Sequence, residues 1–384
     1  MKTSLDLSLF NSRSTPFYFY DMELLEKNLT AAATACYGYG YHMHYALKAN
    51  SNERILESML RHGFGADCVS GNEVKQASAA GFPSSGIAFA GVGKSDKEIR
   101  IGLELDIFTF NVESVQELQV IDTLAGEMGK TARIALRINP NIDAKTHHYI
   151  TTGIEENKFG INPWEFEKVL DTLKGSKHLL LSGLHFHIGS QINDMDVFKG
   201  LCLRVNEIQK WFLERRIIPS HINLGGGLGI DYFDPDKLPD FNLFFKIFHD
   251  NLRLSPRQEV HFELGRALVA QCGSLISRVL YVKEGVKTNF AILDAGMTEL
   301  IRPALYQAYH KIENLSSSGK PLRYDVVGPI CESSDCFGKA IELPQTQRGD
   351  VIALRSTGAY GEVMSLGYNL RSKAKAYYSD TINK

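Results

Sequence analysis

A rhythm in the chain restricts its fold most. Eight short β-prone runs, 41–47, 65–69, 87–90, 107–110, 134–138, 181–187, 221–224 and 260–263, are spaced along the first two thirds. They alternate with stretches whose apolar residues recur at helical spacing, among them 53–62, 72–80, 114–127, 163–173, 195–215 and 241–252. Parallel strands joined by right-handed helical crossovers close into a barrel when there are eight of them. An open doubly wound sheet is the rival, but the spacing has no break into halves and no GxGxxG lies between a strand and a helix. From about residue 273 the helical periodicity stops, and β-prone runs at 275–282, 290–293, 324–327, 351–354 and 374–378 alternate with Gly, Pro and Ser clusters. The expected fold is therefore α/β, a (β/α)8 TIM-type barrel plus a C-terminal mostly antiparallel β-domain. The expected division is 22–272 for the barrel and 1–21 with 273–384 for the β-domain, which the β-prone run Pro16-Phe17-Tyr18-Phe19-Tyr20 would join.

Composition excludes several functions. The net charge is -2, with no basic block to meet a phosphate backbone or an anionic membrane, so nucleic-acid and membrane partners are not expected. No apolar run reaches membrane-spanning length and the first residues do not read as a secretory signal, so a cytoplasmic location is expected. The six cysteines are scattered without a CxxC framework, which predicts free thiols and no zinc site.

In barrels of this kind chemistry sits at the C-terminal ends of the strands. There the chain places Lys48, then Asp67 and Ser70, His187 and Ser190, the triplet Gly225-Gly226-Gly227, and Glu263-Leu264-Gly265-Arg266. A lysine packed at a strand end presents an amine, and burial that disfavours the ammonium frees it to condense with an aldehyde. Its bland alternative is a lysine that snorkels to water. Glycines after the seventh and eighth strands, beside a cationic Arg266, suit a phosphate held by backbone N–H groups. His185 and His187 share a face; His185 reads as a hydrogen-bonded core histidine, while His187 at the tip could lie against a ring. A carboxylate such as Glu263 at the mouth needs a cationic partner, which a pyridinium N–H would supply. Amine, phosphate cradle, ring stack and acid together fit pyridoxal 5'-phosphate. The P-loop echo at Gly91-Val92-Gly93-Lys94-Ser95 fails, because Ala88 stands at its first glycine.

With those residues in place the chain resembles the fold type III pyridoxal-phosphate decarboxylases, from about residue 17 to 371. The motifs are YALKAN at Tyr45, GLHFHIGSQ at Gly183, NLGGGLGI at Asn223, ELGRALVA at Glu263, DAGMTELIRPALYQAYH at Asp294, VVGPICESSD at Val326 and GAYGEVMS at Gly358. The resemblance implies that Lys48 carries the cofactor, His187 stacks on its ring and Glu263 meets its ring nitrogen. It implies cofactor contacts for Asp67, Ser190, Gly225, Gly226, Gly227, Gly265, Arg266 and Tyr360. Arg302 and Tyr306, with Arg266 and Tyr360 close by, match substrate-carboxylate positions; Cys331 matches the proton donor and Glu332 the reader of a distal amino group. In this family the Cys-Glu pair enters from a second subunit, so a homodimer with shared sites is implied. The substrate implied is meso-2,6-diaminopimelate, converted to L-lysine and CO2 in the last step of lysine synthesis. A thiol, with a reference pKa of about 8.5, keeps a proton to give near neutrality.

Rival readings are a sibling decarboxylase of lysine, ornithine, arginine or carboxynorspermidine, a racemase on the same barrel, and a non-catalytic homologue. Leu264 departs from the family's usual proline, the tail YNLRSKAK lacks an Arg-Pro pair after its asparagine, and the chain is short for the family. The loop 139–160, with His147, His148 and Tyr149, is long enough to be a lid or a static rim.

Overall fold

A computed structural model of the chain describes residues 5–142 and 158–382. The loop expected over 139–160 therefore falls for the most part, with His147, His148 and Tyr149, outside the described residues. Contacts divide the chain into two compact units, one of residues 29–229 with 240–265 and the other of 1–28, 230–239 and 266–384.

The first unit is a closed barrel of eight parallel strands. Strand β1 (Phe17–Tyr20) belongs to the other unit, so the barrel runs from β2 (His42–Ala46) through β3 (Gly65–Cys68), β4 (Ile87–Phe89) and β5 (Thr109–Val112). It continues with β6 (Ala132–Ile138), β7 (Leu179–Phe186), β8 (His221–Asn223) and β9 (Glu259–Leu264). The seam closes where β2 pairs with β9, His42 opposite His261 and His44 opposite Glu263. Each strand expected from sequence is present, with β5 starting two residues later than its apolar run. The helix Asp96–Glu104 joins those expected; the Glu98 carboxylate accepts from the Ser95 N–H at 3.0 Å and stops its first turn from fraying. Lys94, in the P-loop-like stretch, is structural: its ammonium bonds the Gly91 and Asn111 carbonyls and Glu117 at 2.7 to 2.8 Å. Outside the strands, Phe198, Phe244, Phe245 and Phe248 pack edge to face around one another and Phe262, sealing β9 beneath two helices.

The second unit is a mostly antiparallel eight-stranded sheet. It holds β10 (Gly273–Glu284), β11 (Asn289–Leu293), β12 (Ile312–Asn314), β13 (Pro321–Val327), β14 (Cys336–Pro344), β15 (Val351–Leu354) and β16 (Lys375–Tyr378). β1 joins it as expected, antiparallel to β10 and parallel to β16. Phe10, Phe17, Phe19, Ile276, Val351, Ala353 and Ile382 form its core. Strands β12 and β14 lie outside the sequence expectation because β12 is three residues long and β14 is interrupted by Gly338 and Lys339. All six cysteines are free thiols. Among the described residues no helix is long and apolar enough to cross a membrane.

Candidate active site

The barrel interior is polar along its axis, which is costly unless each group is paired. Near the C-terminal mouth Glu263, 6% exposed, collects three donors among the described residues. Asn111 on β5 and Asn223 on β8 reach Oε1 at 3.1 and 2.7 Å, and His185 on β7 reaches Oε2 at 2.9 Å. Burial opposes ionisation of Glu263, but His185 and Lys48 outweigh it and hold the carboxyl below the ordinary carboxylate range. A carboxylate has about four acceptor positions, so one remains for a further N–H donor. His185 is thus more than a satisfied core histidine, because it touches the acid itself.

Lys48 lies in a 3-10 turn, Leu47–Ala49, directly after β2. Its amine is 3.2 Å from Asp67 Oδ2 at the end of β3, and its side chain is 38% exposed. The packing expected of this lysine is thus only partial, and a carboxylate stands beside its amine. Asp67 is itself buried, and burial with the nearby Glu263 charge pushes its carboxyl up to about 7 against the opposing pull of Lys48. Its Oδ1 has no hydrogen-bond partner among the described residues.

His187 follows β7, and its Nδ1 accepts from the Gly226 N–H at 3.3 Å. Burial, then the charges of Arg137 and Lys48, push its imidazole well below the usual value, so the ring is neutral. Ser190, half-buried, follows in the same loop. In the glycine turn a Cβ on Gly226 would sit 2.0 Å from the Glu263 carbonyl oxygen, and one on Gly225 would sit 2.3 Å from that of Phe186. Gly225 and Gly227 also have positive φ, 65° and 107°. The triplet is thus demanded by the close approach of β7 and β9. Gly265 packs against Ala46 and Ala49, bracing the turn that carries Lys48. Leu264, at the position of the family's proline, stays in β9 register opposite Tyr45. Behind the mouth Arg137 pairs with Glu113 at 2.5 Å, and Glu113 accepts the Gly160 N–H at 2.9 Å.

The second unit carries a cationic cluster. The Tyr232 hydroxyl accepts from Arg266 Nη1 at 2.6 Å and from Arg302 Nη1 at 2.7 Å, and all three are buried. Burial alone would raise the Tyr232 phenol, but the two guanidiniums bring it below its usual value. Burial and the charge of Arg302 push His310 down to about 3, so its neutral Nε2 accepts from Arg302 at 3.1 Å while Nδ1 donates to the Arg355 carbonyl. Arg266 also stacks 4.9 Å over the Tyr360 ring. Tyr306, half-buried, ends the short helix Arg302–Tyr306.

Cys331 and Glu332 lie apart from that cluster, exposed on the loop between β13 and β14. Asp335 ties the loop down, accepting from Met297 N at 2.6 Å and Ile330 N at 2.7 Å. The tail folds onto it: Tyr368 donates to Glu332 at 2.8 Å, and Asn369 accepts the Cys331 N–H at 3.4 Å. Asn111, Asn223, Tyr232 and His310 escaped the reading of single residues. Asparagine within a buried strand was the available signal, since it is poor in strands and must find a partner.

These residues fit pyridoxal phosphate: a buried, ionised Glu263 with an acceptor position left over, a neutral His187 and an amine at one barrel mouth. Residues 23–270 match the family described as pyridoxal-dependent decarboxylase, pyridoxal binding domain. A diaminopimelate decarboxylase of Bacteroides thetaiotaomicron is 56% identical over 100% of both chains. One from Helicobacter pylori is 41% identical over 95% of this chain and 90% of its own. The crystal structure of the Helicobacter pylori enzyme complexed with L-lysine superposes with a TM-score of 0.91 at 40% identity, covering 97% of this chain and 93% of that one. The chain belongs to the pyridoxal-dependent decarboxylases and, within them, to the diaminopimelate decarboxylase family.

Proposed function

We propose that the chain decarboxylates meso-2,6-diaminopimelate to L-lysine and CO2. Beyond the family, the observation that carries this is the ionised Glu263 buried at the barrel mouth that also holds Lys48. Bound pyridoxal phosphate supplies an aldehyde for the substrate amine and a ring that takes up the electron pair left by the departing carboxylate. Glu263 offers its remaining acceptor position to the ring nitrogen and keeps a positive charge favourable there. His187, Ser190, Gly225 to Gly227, Gly265, Arg266 and Tyr360 hold the cofactor, and Lys48 carries it between turnovers. Asp67 accepts a hydrogen bond from the Lys48 amine and orients it toward the cofactor. Arg302 and Tyr306 bind the far carboxylate, and Glu332 the far ammonium, so a substrate lacking either leaves buried charge unpaired. Cys331 returns a proton to the carbon that lost CO2.

The exposed Cys331 and Glu332 serve the site of a second subunit in a homodimer. The neighbouring Leu370, 98% exposed, and Tyr368, 43% exposed, support such a partner face. Residues 22–272 form the cofactor-binding domain, and 1–21 with 273–384 supply substrate and partner contacts. A thiol proton donor requires a reducing compartment, which supports the cytoplasm. Kinetics with meso-diaminopimelate, lysine, ornithine and arginine test the specificity. Turnover restricted to diaminopimelate, and weakened in KM by Arg302→Lys, is the expected result; faster turnover of lysine or ornithine would replace it with the sibling activity.

A further inference from the structure

Below the Glu263 layer, at the N-terminal end of the barrel, lies a second polar cluster with no part in the chemistry above. His42 opens β2 and Glu259 opens β9, and His261, two residues along β9, is the direct partner of His42 across the seam. A chain of hydrogen bonds sets the tautomers. His44 Nδ1 lies 3.0 Å from the Gly86 carbonyl oxygen, which can only accept, so Nδ1 carries the proton. His44 is 3% exposed and its two ring nitrogens face an uncharged carbonyl and another imidazole, so the buried ring is neutral and its Nε2 is a bare acceptor. Nε2 lies 2.9 Å from His261 Nδ1, which must then be the donor. A neutral imidazole carries one ring proton, and this bond takes it. The other nitrogen of His261, Nε2, is left as a lone pair. His261 is 4% exposed, and this Nε2 is buried and has no hydrogen-bond partner among the described residues. It faces Glu259 Oε2 at 3.5 Å, one acceptor against another.

Two lone pairs held face to face call for an electrophile between them. The His42 ring stacks on His261 with centroids 4.7 Å apart, and ligand atoms of His42, Glu259 and His261 lie within 4.8 Å of one another. Metal–ligand bonds of about 2.0–2.1 Å put tetrahedral ligands roughly 3.3 Å apart, so the His261–Glu259 separation already suits a metal. The N–H that His261 donates to His44 is the outer-shell contact that orients a metal-binding imidazole.

We propose that His42, Glu259 and His261 form a binding site for a first-row divalent cation of the Zn2+ type, with the fourth position open to solvent. Two imidazoles and one carboxylate are a borderline-soft set that favours such ions over Mg2+ or Ca2+. The cation clamps the first barrel strand to the last, and its role is stabilisation of the seam. The site escapes sequence reading because its ligands are separated by more than two hundred residues and meet only when the barrel closes.

The test is titration of the chelator-stripped, cofactor-loaded protein with ZnCl2 by calorimetry, alongside thermal unfolding. His42→Ala and Glu259→Gln alter exposed side chains and leave the buried His261 in place, so folding is retained and checked by circular dichroism. Cys331→Ala removes the exposed thiol as a competing ligand. One Zn2+ per chain, an affinity at least about ten-fold weaker in either rim variant but unchanged in Cys331→Ala, and a zinc-dependent rise in unfolding temperature lost in both rim variants are expected. Absence of stoichiometric binding, or equal affinity in wild type and both rim variants, would overturn the proposal.

Discussion

His185 donates through Nε2 to Oε2 of Glu263 at 2.9 Å, a contact between two buried side chains on strands β7 and β9. It is one of the three donors among the described residues that keep the acid ionised near the barrel mouth. A hydrogen bond to a buried charge is worth about 1.5–3 kcal/mol. His185→Ala is therefore expected to lower kcat at least ten-fold and to bring an acid limb into the kcat–pH profile as Glu263 becomes easier to protonate. Steady-state assays across pH check both, and a flat acid side with normal kcat would count against the role.

Asp67 gives a pH signature of its own. Its carboxyl is raised in the folded protein to about 7, from 3.8 when free in solution. Between those values the folded chain binds more protons than the unfolded one. Its stabilising contribution is thus complete below the unfolded pKa and lost as pH rises through the folded one. Asp67→Asn should gain stability relative to wild type as pH goes from about 4 to about 8, measured as the difference in urea midpoints at the two ends. A constant difference would mean that Asp67 titrates normally.

Tyr232 keeps two buried guanidiniums from facing each other bare. Tyr232→Phe removes the shared acceptor of Arg266 and Arg302, and the loss in unfolding free energy is expected to be about 2–3 kcal/mol. Substrate KM should rise more than kcat falls, since Arg302 is displaced while Lys48 and Glu263 are untouched. Denaturant titration and saturation kinetics separate these effects.

Gly226 has no room for a side chain. With a Cβ placed 2.0 Å from the Glu263 carbonyl oxygen, Gly226→Ala must push β8 from β9. Weaker retention of pyridoxal phosphate on dialysis, followed by its absorbance, is expected at full secondary structure. Retention equal to wild type would show that the turn yields without disturbing the mouth.

The strand count was readable because barrel strands are short, apolar and bounded by turn residues, and Lys48, His187 and Glu263 were readable because each ends such a run. The partners of Glu263 were not. Asn111 and Asn223 lie 112 residues apart in the chain and converge only when β5 and β8 face each other across the barrel. Tyr232 sits in an ordinary-looking turn, and its meaning comes from two arginines brought to its hydroxyl by the fold. The helix Asp96–Glu104 carried a legible signal in Ser95 and Glu98, a capping pair masked by the resemblance of the preceding glycines to a phosphate loop. The sequence leads one to expect a packed Lys48; its partly exposed side chain and its pairing with Asp67 depend on how β3 lies beside β2, which periodicity does not encode.

A mixing experiment addresses the shared site. Lys48→Ala and Cys331→Ala subunits, each inactive alone, should recover about a quarter of wild-type activity when unfolded and refolded together, since half the random dimers carry one intact site. No recovery would place Cys331 in the site of its own chain.

The most direct measurement follows CO2 and L-lysine together from meso-2,6-diaminopimelate with the purified, cofactor-loaded protein, using Lys48→Ala as the control. The account predicts equimolar CO2 and lysine, abolished in the control. Diaminopimelate left intact while wild-type protein holds its cofactor, or CO2 released at the same rate by Lys48→Ala, would contradict it.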